Sequence, residues 1–285
     1  MRILNYIMAA LTAATLFYSC NDDIDWSTDP SIRLCYSTDS LKFEPLVTEQ
    51  LTSTRLVKIK NNSSEDLRIE SVKLYSQGNN FQMNVDGRNG TEIYDIQLRS
   101  KDSCYIFVRA NLSKQDENQP VVINDSIVIS YNGNTDHIVL NAIGQNAVVL
   151  RNKTIEADTT WTNAQPILIF DSLKVKEGVT LTIKPGTKLL LHHGATITVD
   201  GKLDVMGNAS NMVQISGDRF DEIVTDVPYS RLANQWGGLR FSASSTGNIL
   251  EGLYMTGSTF GIVVDSAEID DSAWRLTIAN SEIRV

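Results

Sequence analysis

Short stretches of alternating apolar and polar residues run through the first half of the chain. Arg55–Lys60 and Leu67–Leu74 alternate in this way, and the turn-forming residues 61–66 separate them. Alternation with a period of two is typical of strands that bury one face and expose the other. Further candidate strands share this pattern: Phe81–Val85, Ile93–Leu98, Tyr105–Val108, Ser126–Ser130 and His137–Leu140. The spacing predicts a β-sandwich over residues 28–148.

The pattern changes near residue 150, where candidate strands become shorter and glycine turns more frequent. These strands are Ile167–Phe170, Val179–Ile183, Lys188–Leu191, Ala195–Val199, Leu203–Val205 and Val213–Ser216. Leu181 and Leu203 are 22 residues apart, and Ile262 follows Leu239 by 23 and precedes Ile283 by 21. A period of about 20–25 residues indicates a solenoid. Leucine-rich repeats share that period, but no convincing helical stretch is present.

We therefore predict an all-β chain, with the β-sandwich followed by a short right-handed parallel β-helix solenoid over residues 150–285. Alternate side chains of each coil should point inward and form stacks. The predicted inward residues are Leu181, Ile183, Ile197, Val199, Leu203, Val205, Val213, Ile215, Leu239, Phe241, Ile262, Val264, Leu276 and Ile278.

Composition narrows the possible functions. The 285 residues carry 25 Lys and Arg against 34 Asp and Glu, so the net charge is −9. Nucleic-acid binding depends on clustered cations, so an acidic chain of this kind predicts no nucleic-acid partner. Three Cys and three His argue against a disulfide scaffold and against a zinc site.

The N-terminus has the layout of a secretory signal. One cation, Arg2, precedes an apolar stretch over residues 7–17 that is too short to cross a bilayer. The segment Leu16–Cys20 resembles a bacterial lipobox, which implies a signal peptide over residues 1–19 and a lipid-bearing, palmitate-modified Cys20. An ordinary signal peptide and an uncleaved anchor are the alternatives.

Residues 20–27 form an acidic tether after Cys20. Acidic residues at this place resemble the surface-export signal of lipoproteins in certain Gram-negative anaerobes, and a solvated linker is the alternative. The resemblance implies an outer-membrane lipoprotein that is exposed at the cell surface. Outer-membrane lipid, bound through Cys20, would then be its first partner.

Two segments resemble known families. Val57–Leu74, Phe81 and the sequence IVLNAIG at residues 138–144 resemble immunoglobulin-like anchoring domains of surface proteins. The sequences GVTLTIKPGTKLLL, ITVDGKLDVMGN, VQISGDRFDEIV and NQWGGLRF, in that order, resemble a family of bacterial surface lipoproteins with a right-handed parallel β-helix. The second resemblance implies an architecture and a location, but no reaction.

Residues 217–235 form a long excursion between two short candidate strands, and we call them the 217–235 loop. Loops of this length within compact domains are often functional. Four carboxylates in the loop, Asp218, Asp221, Glu222 and Asp226, are candidate Ca²⁺ ligands, although their spacing differs from an EF-hand. Calcium is the only cofactor that the sequence suggests.

A glycan-binding surface is the second hypothesis for this loop. Tyr229 and Trp236 offer flat apolar faces, and Arg219 and Arg231 offer hydrogen-bond donors. In the alternative, Trp236 packs beneath a coil corner, which the following Gly237–Gly238 favours.

Other candidate chemistry is weaker. His192 and His193 are adjacent in a candidate strand, so their side chains should point to opposite faces, with one exposed and the other packed. Cys35 and Cys104 could form a disulfide in an exported protein, or remain as two buried free thiols.

No carboxylate pair with a base is evident on neighbouring coils, so no catalytic residues are assigned. We interpret the chain as a lipid-anchored surface protein that displays a β-helix for adhesion or binding, with a glycan or a surface protein as partner. A polysaccharide-degrading enzyme, a lyase or hydrolase of the parallel β-helix type, is the alternative. Residues 281–285 end within a strand-like pattern, which predicts either a truncated product or end-to-end pairing of the last coil.

Overall fold

The computed structural model describes residues 25–76, 80–116, 118–224, 227–268 and 274–285. The predicted signal peptide, the predicted lipid-bearing Cys20, the first part of the predicted acidic tether and Asp226 lie outside these residues. The described chain is all-β, as predicted, and its one helical segment is a single 3-10 turn at Tyr229–Arg231. No helix in the described ranges has the length and the apolar character needed to span a bilayer.

The first half of the chain, residues 25–147, forms antiparallel ladders between strands close to the predicted positions. The strands are β1 (Cys35–Tyr36), β2 (Ser40–Lys42), β3 (Leu46–Val47), β4 (Arg55–Lys60), β5 (Leu67–Leu74), β6 (Phe81–Val85), β7 (Arg88–Asn89), β8 (Glu92–Leu98), β9 (Ser103–Ala110), β10 (Val121–Tyr131) and β11 (Asn134–Gln145). Sheet 1 has the order β1-β4-β9-β6-β7, and sheet 2 has the order β2-β11-β10-β5-β8, with β3 also on β11. Among the described strands of this half, only β2 and β3 pair in parallel, both with β11.

Sheets 1 and 2 share one hydrophobic core. Val57, Ile59 and Ile106 of sheet 1 and Ile69 and Ile127 of sheet 2 belong to it, and all five side chains are fully buried. These residues occupy every second position of their strands, so the outer faces of both sheets are left to solvent.

The second half, residues 148–285, is built from short strands that pair mainly in parallel. They are β12 (Val148–Ile155), β13 (Thr159–Trp161), β14 (Ile167–Val175), β15 (Thr180–Ile183), β16 (Lys188–Leu191), β17 (Thr196–Val199), β18 (Lys202–Met206), β19 (Val213–Gly217), β20 (Glu222–Val224), β21 (Val227–Pro228), β22 (Leu239–Phe241), β23 (Asn248–Glu251), β24 (Leu253–Thr256), β25 (Ile262–Val264), β26 (Leu276–Ala279) and β27 (Glu282–Arg284). Among the described strands here, only β20 and β21 pair antiparallel.

The parallel strands form three columns. The first column contains the first part of β14, then β16, β19, β24 and β27, and the second contains the last part of β14, then β17, β22 and β25. The third has the order β13-β15-β18-β23-β26. Strands of the three columns follow one another along the chain, so each pass through the columns adds one layer.

The columns are in register at two of the three predicted spacings. Leu181 pairs with Leu203, and Leu239 pairs with Ile262. The third spacing does not correspond to a strand pairing, because Ile283 pairs with Met255 rather than with Ile262. Ten of the fourteen predicted inward residues, from Leu181 to Phe241, are buried.

The predicted inward residues of the last layer are less buried. Ile262 and Leu276 are half-buried, whereas Val264 is 40% exposed and Ile278 is 46% exposed. In the described residues no further strand lies over this layer, which explains why these side chains reach solvent.

Each half has its own hydrophobic core, and a small separate cluster lies where the two halves meet. Val47 from β3 packs with Leu168 from β14 and Leu190 from β16, and all three are buried. We call these three residues the junction cluster. It places the 44–53 segment of the first half against the first column of the second half.

Candidate binding cleft between the two halves

A cleft of 410 Å³ lies beside the junction cluster and is formed by both halves. The first half contributes residues 44–46, residues 49–53 and Arg109, and the second half contributes Phe170, residues 192–193 and residues 218–221. The start of the 217–235 loop therefore forms one wall of this cleft. We call this feature the junction cleft.

The 217–235 loop is held by its own hydrogen bonds. The Tyr229 amide donates to the Asp221 carbonyl at 2.8 Å, and β20 pairs with β21. The Gln235 side-chain amide donates to the carbonyl oxygens of Tyr229 at 2.6 Å and Leu232 at 2.8 Å. These bonds tie the described parts of the loop to one another before the chain enters β22.

Asp218 connects the two halves at the cleft. Its Oδ2 lies 2.7 Å from His192 Nδ1, and the same oxygen accepts a hydrogen bond of 2.8 Å from Gln50 Nε2. Gln50 also donates to the Asp218 carbonyl oxygen at 3.2 Å. The carboxylate is almost buried, with 8% of its side chain exposed, so these polar partners offset its desolvation.

His192 presents an exposed ring in the cleft. Its side chain is 52% exposed, and its ring centroid is 4.7 Å from that of Phe170. The Arg151 guanidinium lies 3.8 Å from the Phe170 ring centroid and forms an ion pair with Glu49 of the first half at 2.9 Å. The result is a row of flat side chains, Arg151, Phe170 and His192, beside the boundary between the halves.

Arg219, at the start of the 217–235 loop, is held in a fixed orientation. Its Nε and Nη2 donate to the two oxygens of Asp221 at 2.9 and 2.5 Å, and its guanidinium lies 3.6 Å from the Tyr229 ring centroid. The hydrogen bond to Asp221 raises the pKa of Arg219 above its ordinary value. Asp221 is nearly buried, whereas Arg219 is 52% exposed and can still donate to a ligand.

The structure changes the assignment of Trp236. This side chain is fully buried, and its indole nitrogen donates to the Thr256 carbonyl at 2.8 Å. A Cβ at Gly237 would lie 2.3 Å from a methyl group of Thr196, so the backbone packs closely here. Trp236 therefore cannot offer a face to a glycan, and the packing alternative describes it correctly.

Four of the other candidate residues belong to the cleft or its margin, and the side chain of Arg231 is not described. Arg219 lines the cleft, Tyr229 supports it, and Asp218 and Asp221 lie in its wall. Arg231 lies in the 3-10 turn, but its side chain is outside the described part of the structure.

The calcium candidates do not converge within the described residues. Asp218 binds His192 and Gln50, Asp221 binds Arg219, and Glu222 is exposed. No group of three or more His, Cys, Asp or Glu side chains in the described ranges is placed to hold a metal ion. Because Asp226 lies outside these ranges, a site that includes it stays a prediction.

The expectation for the histidine pair was wrong, because both His192 and His193 are exposed. β16 ends at Leu191, so the strand alternation that predicted one packed ring no longer applies. Cys35 and Cys104 are free thiols, the first exposed and the second buried. Sequence reasoning missed both Gln50 and Phe170 as cleft residues. The contact of Gln50 with Asp218 crosses between the halves, and Phe170 belongs to an apolar strand segment with no sign of an exposed role.

Comparisons with known proteins add little. No protein-family model and no curated protein sequence matches the chain. The similar solved structures include the CooA pilin subunit from enterotoxigenic Escherichia coli, at 12% identity over 41% of this chain and 99% of that one, with a TM-score of 0.30. A protein of unknown function from Porphyromonas gingivalis W83 has 10% identity over 44% and 60%, with a TM-score of 0.29.

A third similar structure is the VesB protease of Vibrio cholerae, at 14% identity over 39% of this chain, with a TM-score of 0.26. The match spans 31% of the length of that protease. Similarity at these levels assigns no function to the chain.

Proposed function

We propose that this chain is a lipid-anchored binding protein of the outer cell surface, and that its ligand, a glycan, occupies the junction cleft. In this proposal Cys20 carries the lipid, and residues 20–27 are the tether. An immunoglobulin-like β-sandwich over residues 28–148 then carries a right-handed parallel β-helix over residues 150–285.

The layered columns of the second half support the β-helix part of this proposal. Each layer contributes one strand to each column, and paired positions hold similar apolar side chains, as in Leu181 beside Leu203. Stacking of this kind buries a continuous core along the axis of a solenoid. The two antiparallel sheets with one shared core support the β-sandwich part.

The single observation that carries the binding function is the pre-organised lining of the junction cleft. The Arg219–Asp221 pair and the His192–Asp218–Gln50 group are already hydrogen-bonded, so little side-chain entropy remains to be lost when a ligand binds. The flat ring of Phe170 and the fixed polar groups are the combination that sugar rings, with their apolar faces and hydroxyl edges, require.

A glycan array with the purified chain tests this function. Arg219→Gln should weaken binding by about tenfold to a hundredfold, the usual effect of losing a hydrogen bond to a charged donor. Arg240→Gln is a matched control, because Arg240 also binds a carboxylate, with its Nε 3.0 Å from both oxygens of Asp265, but lies outside the cleft lining. Calorimetric titration of the best array ligand gives the affinities, and thermal melting verifies folding.

The proposed attachment of the chain to the outer cell surface is tested with the same ligand on intact cells. Cells that carry the chain should retain the glycan at their surface, and cells that carry Cys20→Ala should not. The absence of any array ligand, or equal effects of the Arg219 and Arg240 variants, would contradict the cleft as the binding site.

One observation favours the alternative that the chain is a polysaccharide-degrading enzyme. The His192–Asp218 pair lies in the cleft with an exposed imidazole, and a polysaccharide lyase or hydrolase needs such a group to move a proton. Incubation of the array ligand with the chain, followed by analysis of chain length, separates the two functions. Shortened products that disappear in His192→Gln would favour the enzyme.

A further inference from the structure

The outer face of sheet 1 has a composition unlike the rest of this acidic chain. The outward positions of its central strands β4, β6 and β9 are Leu56, Lys58, Lys60, Gln82, Asn84, Ser103, Tyr105, Phe107 and Arg109. Three of these residues are cations and none is a carboxylate, whereas the whole chain has a net charge of −9. We call this set of residues the platform.

Two aromatic rings form the centre of the platform. Tyr105 and Phe107 occupy successive outward positions of β9, with ring centroids 6.4 Å apart and an interplanar angle of 30°. Both are exposed, at 39% and 41%, and Leu56 lies beside Phe107 in the strand register and is 45% exposed. An apolar group of this kind at the centre of a sheet face, rather than scattered singly, marks an interaction surface.

Polar side chains flank the rings on both sides. Lys58 pairs with Tyr105 across β4 and β9, and its Nζ lies 5.8 Å from the ring centroid. On the other side, Asn84 pairs with Phe107 and donates a hydrogen bond of 2.8 Å to Asn89. Arg109 is oriented by a hydrogen bond of 2.7 Å to the Thr54 hydroxyl.

The cations of the platform are available to a partner. Within the described residues, neither Lys58 nor Arg109 forms an ion pair, in contrast to Arg219 and Arg240. A depression of 550 Å³ lies next to Phe107 and is lined by Thr54, Gln82, Met83, Asn84, Asn89 and Arg109. Arg109 also lines the junction cleft, so the platform continues into that cleft.

We propose that the platform is a second binding site, specific for acidic polysaccharides with carboxylated sugars. The exposed rings receive the apolar faces of successive sugars, the side-chain amides bind hydroxyl groups, and Lys58 and Arg109 bind the carboxylates. Charge complementarity selects an anionic ligand. The amides and the few cations favour a polysaccharide over a nucleic acid, which requires a denser array of phosphate contacts.

Polygalacturonate is a suitable probe for this site, with neutral pullulan as its uncharged counterpart. The full chain should bind polygalacturonate, more weakly as salt is added, and should bind pullulan much less. The double variant Tyr105→Thr, Phe107→Thr should lose about tenfold or more in affinity. Threonine has a strong preference for strands, so the backbone at positions 105 and 107 should keep its strand structure.

The matched control is Tyr75→Thr, Val122→Thr, which removes apolar groups elsewhere in the first half that are still more exposed, at 74% and 63%. Lys58→Gln should lower the affinity and weaken its salt dependence, an effect that loss of packing alone would not produce. Calorimetric titration measures the affinity and its salt dependence, and melting temperatures show whether each variant is folded.

Three results would overturn the proposal: no binding of polygalacturonate, equal losses in the platform and control variants, or stronger binding to other anions. The last is measured with oligo-deoxythymidine and with vesicles of equal parts phosphatidylcholine and phosphatidylglycerol. Since these variants leave Arg219 and the cleft unchanged, failure of the platform is distinguishable from failure of the junction cleft.

Discussion

At the scale of single residues, the two described cysteines differ in how deeply they are buried. Cys35 is exposed, whereas Cys104 is 3% exposed on the inner face of β9. Burial raises the pKa of the Cys104 thiol from 9.0 to about 12, and the negative charge of Asp86 adds to the shift. The Cys104 thiol should therefore remain protonated in the folded protein at mildly alkaline pH.

The first prediction follows from this pKa shift. Between pH 9 and about pH 12 the unfolded chain loses the Cys104 proton and the folded chain keeps it, so the stability contributed by this group falls as pH rises through that window. In a Cys20→Ser background, iodoacetamide at pH 8 should label Cys35 and leave Cys104 unlabelled until urea is added. Mass spectrometry of the digested protein gives the sites.

The control is Cys104→Ala, whose stability should fall less steeply between pH 9 and pH 11 than that of the parent. Tyr36 and Tyr131 also have raised pKa values, but they are common to both proteins and cancel in the comparison. Rapid labelling of Cys104 in the folded state would contradict the assigned burial.

Trp236 illustrates what a residue type can and cannot predict. A tryptophan in a long loop is compatible with both a glycan contact and a core position, and only the next two residues favoured the core. Gly237 and Gly238 have no Cβ, and the close approach of Thr196 and Phe260 uses that space. The role of the tryptophan thus depended on neighbours that are distant in sequence.

At the scale of elements, the tight corners between columns depend on glycine for different reasons. Gly201 joins β17 to β18, and a Cβ there would lie 2.2 Å from the Val179 carbonyl oxygen and 2.3 Å from that of Lys176. Gly178 precedes β15 with a φ of +75°, and a Cβ there would meet nothing within 4 Å. The first corner requires space, whereas the second requires only a left-handed backbone.

The second prediction compares these two corners. Gly201→Ala should destabilise the protein by about 2 kcal/mol or more, because backbone atoms of the neighbouring layer must move. Gly178→Ala should cost about 1 kcal/mol, the strain of alanine at positive φ. Urea denaturation measures both, and an equal cost at the two corners would contradict the close approach at Gly201.

Strand positions were largely predictable, while strand partners were only partly so. Arg55–Lys60, Leu67–Leu74 and Lys188–Leu191 coincide with β4, β5 and β16, since alternation and turn residues are local signals. Ile283 was matched with the wrong partner, because Ile262 lies in the second column and Ile283 in the first, where its partner Met255 is 28 residues away. A constant period then no longer identifies which strands are neighbours.

At the scale of the whole molecule, the junction cluster decides how the two halves behave. Leu168 and Leu190 point away from the core of the second half, whose members in the same strands are Ile167, Ile169, Leu189 and Leu191. The uninterrupted apolar runs at 167–170 and 189–191 are typical of strands buried on both faces. This signal could have revealed the contact between the halves, although not the cleft beside it.

The last prediction is that this contact makes the two halves unfold together. Scanning calorimetry of the full chain should give one transition, and Leu168→Ala, Leu190→Ala should separate it into two, since each buried truncation costs about 2–5 kcal/mol. Ile249→Ala is the control, because Ile249 is 37% exposed on β23 and lies outside the junction cluster.

The double variant should also lose affinity for the cleft ligand, since Gln50 reaches Asp218 only while the halves are in contact. It should keep its affinity for polygalacturonate, because the rings of the platform belong to sheet 1 alone. Two transitions in the parent chain, or one unchanged transition in the double variant, would show that the junction cluster does not couple the halves. The ligand measurements would then have to be explained within each half separately.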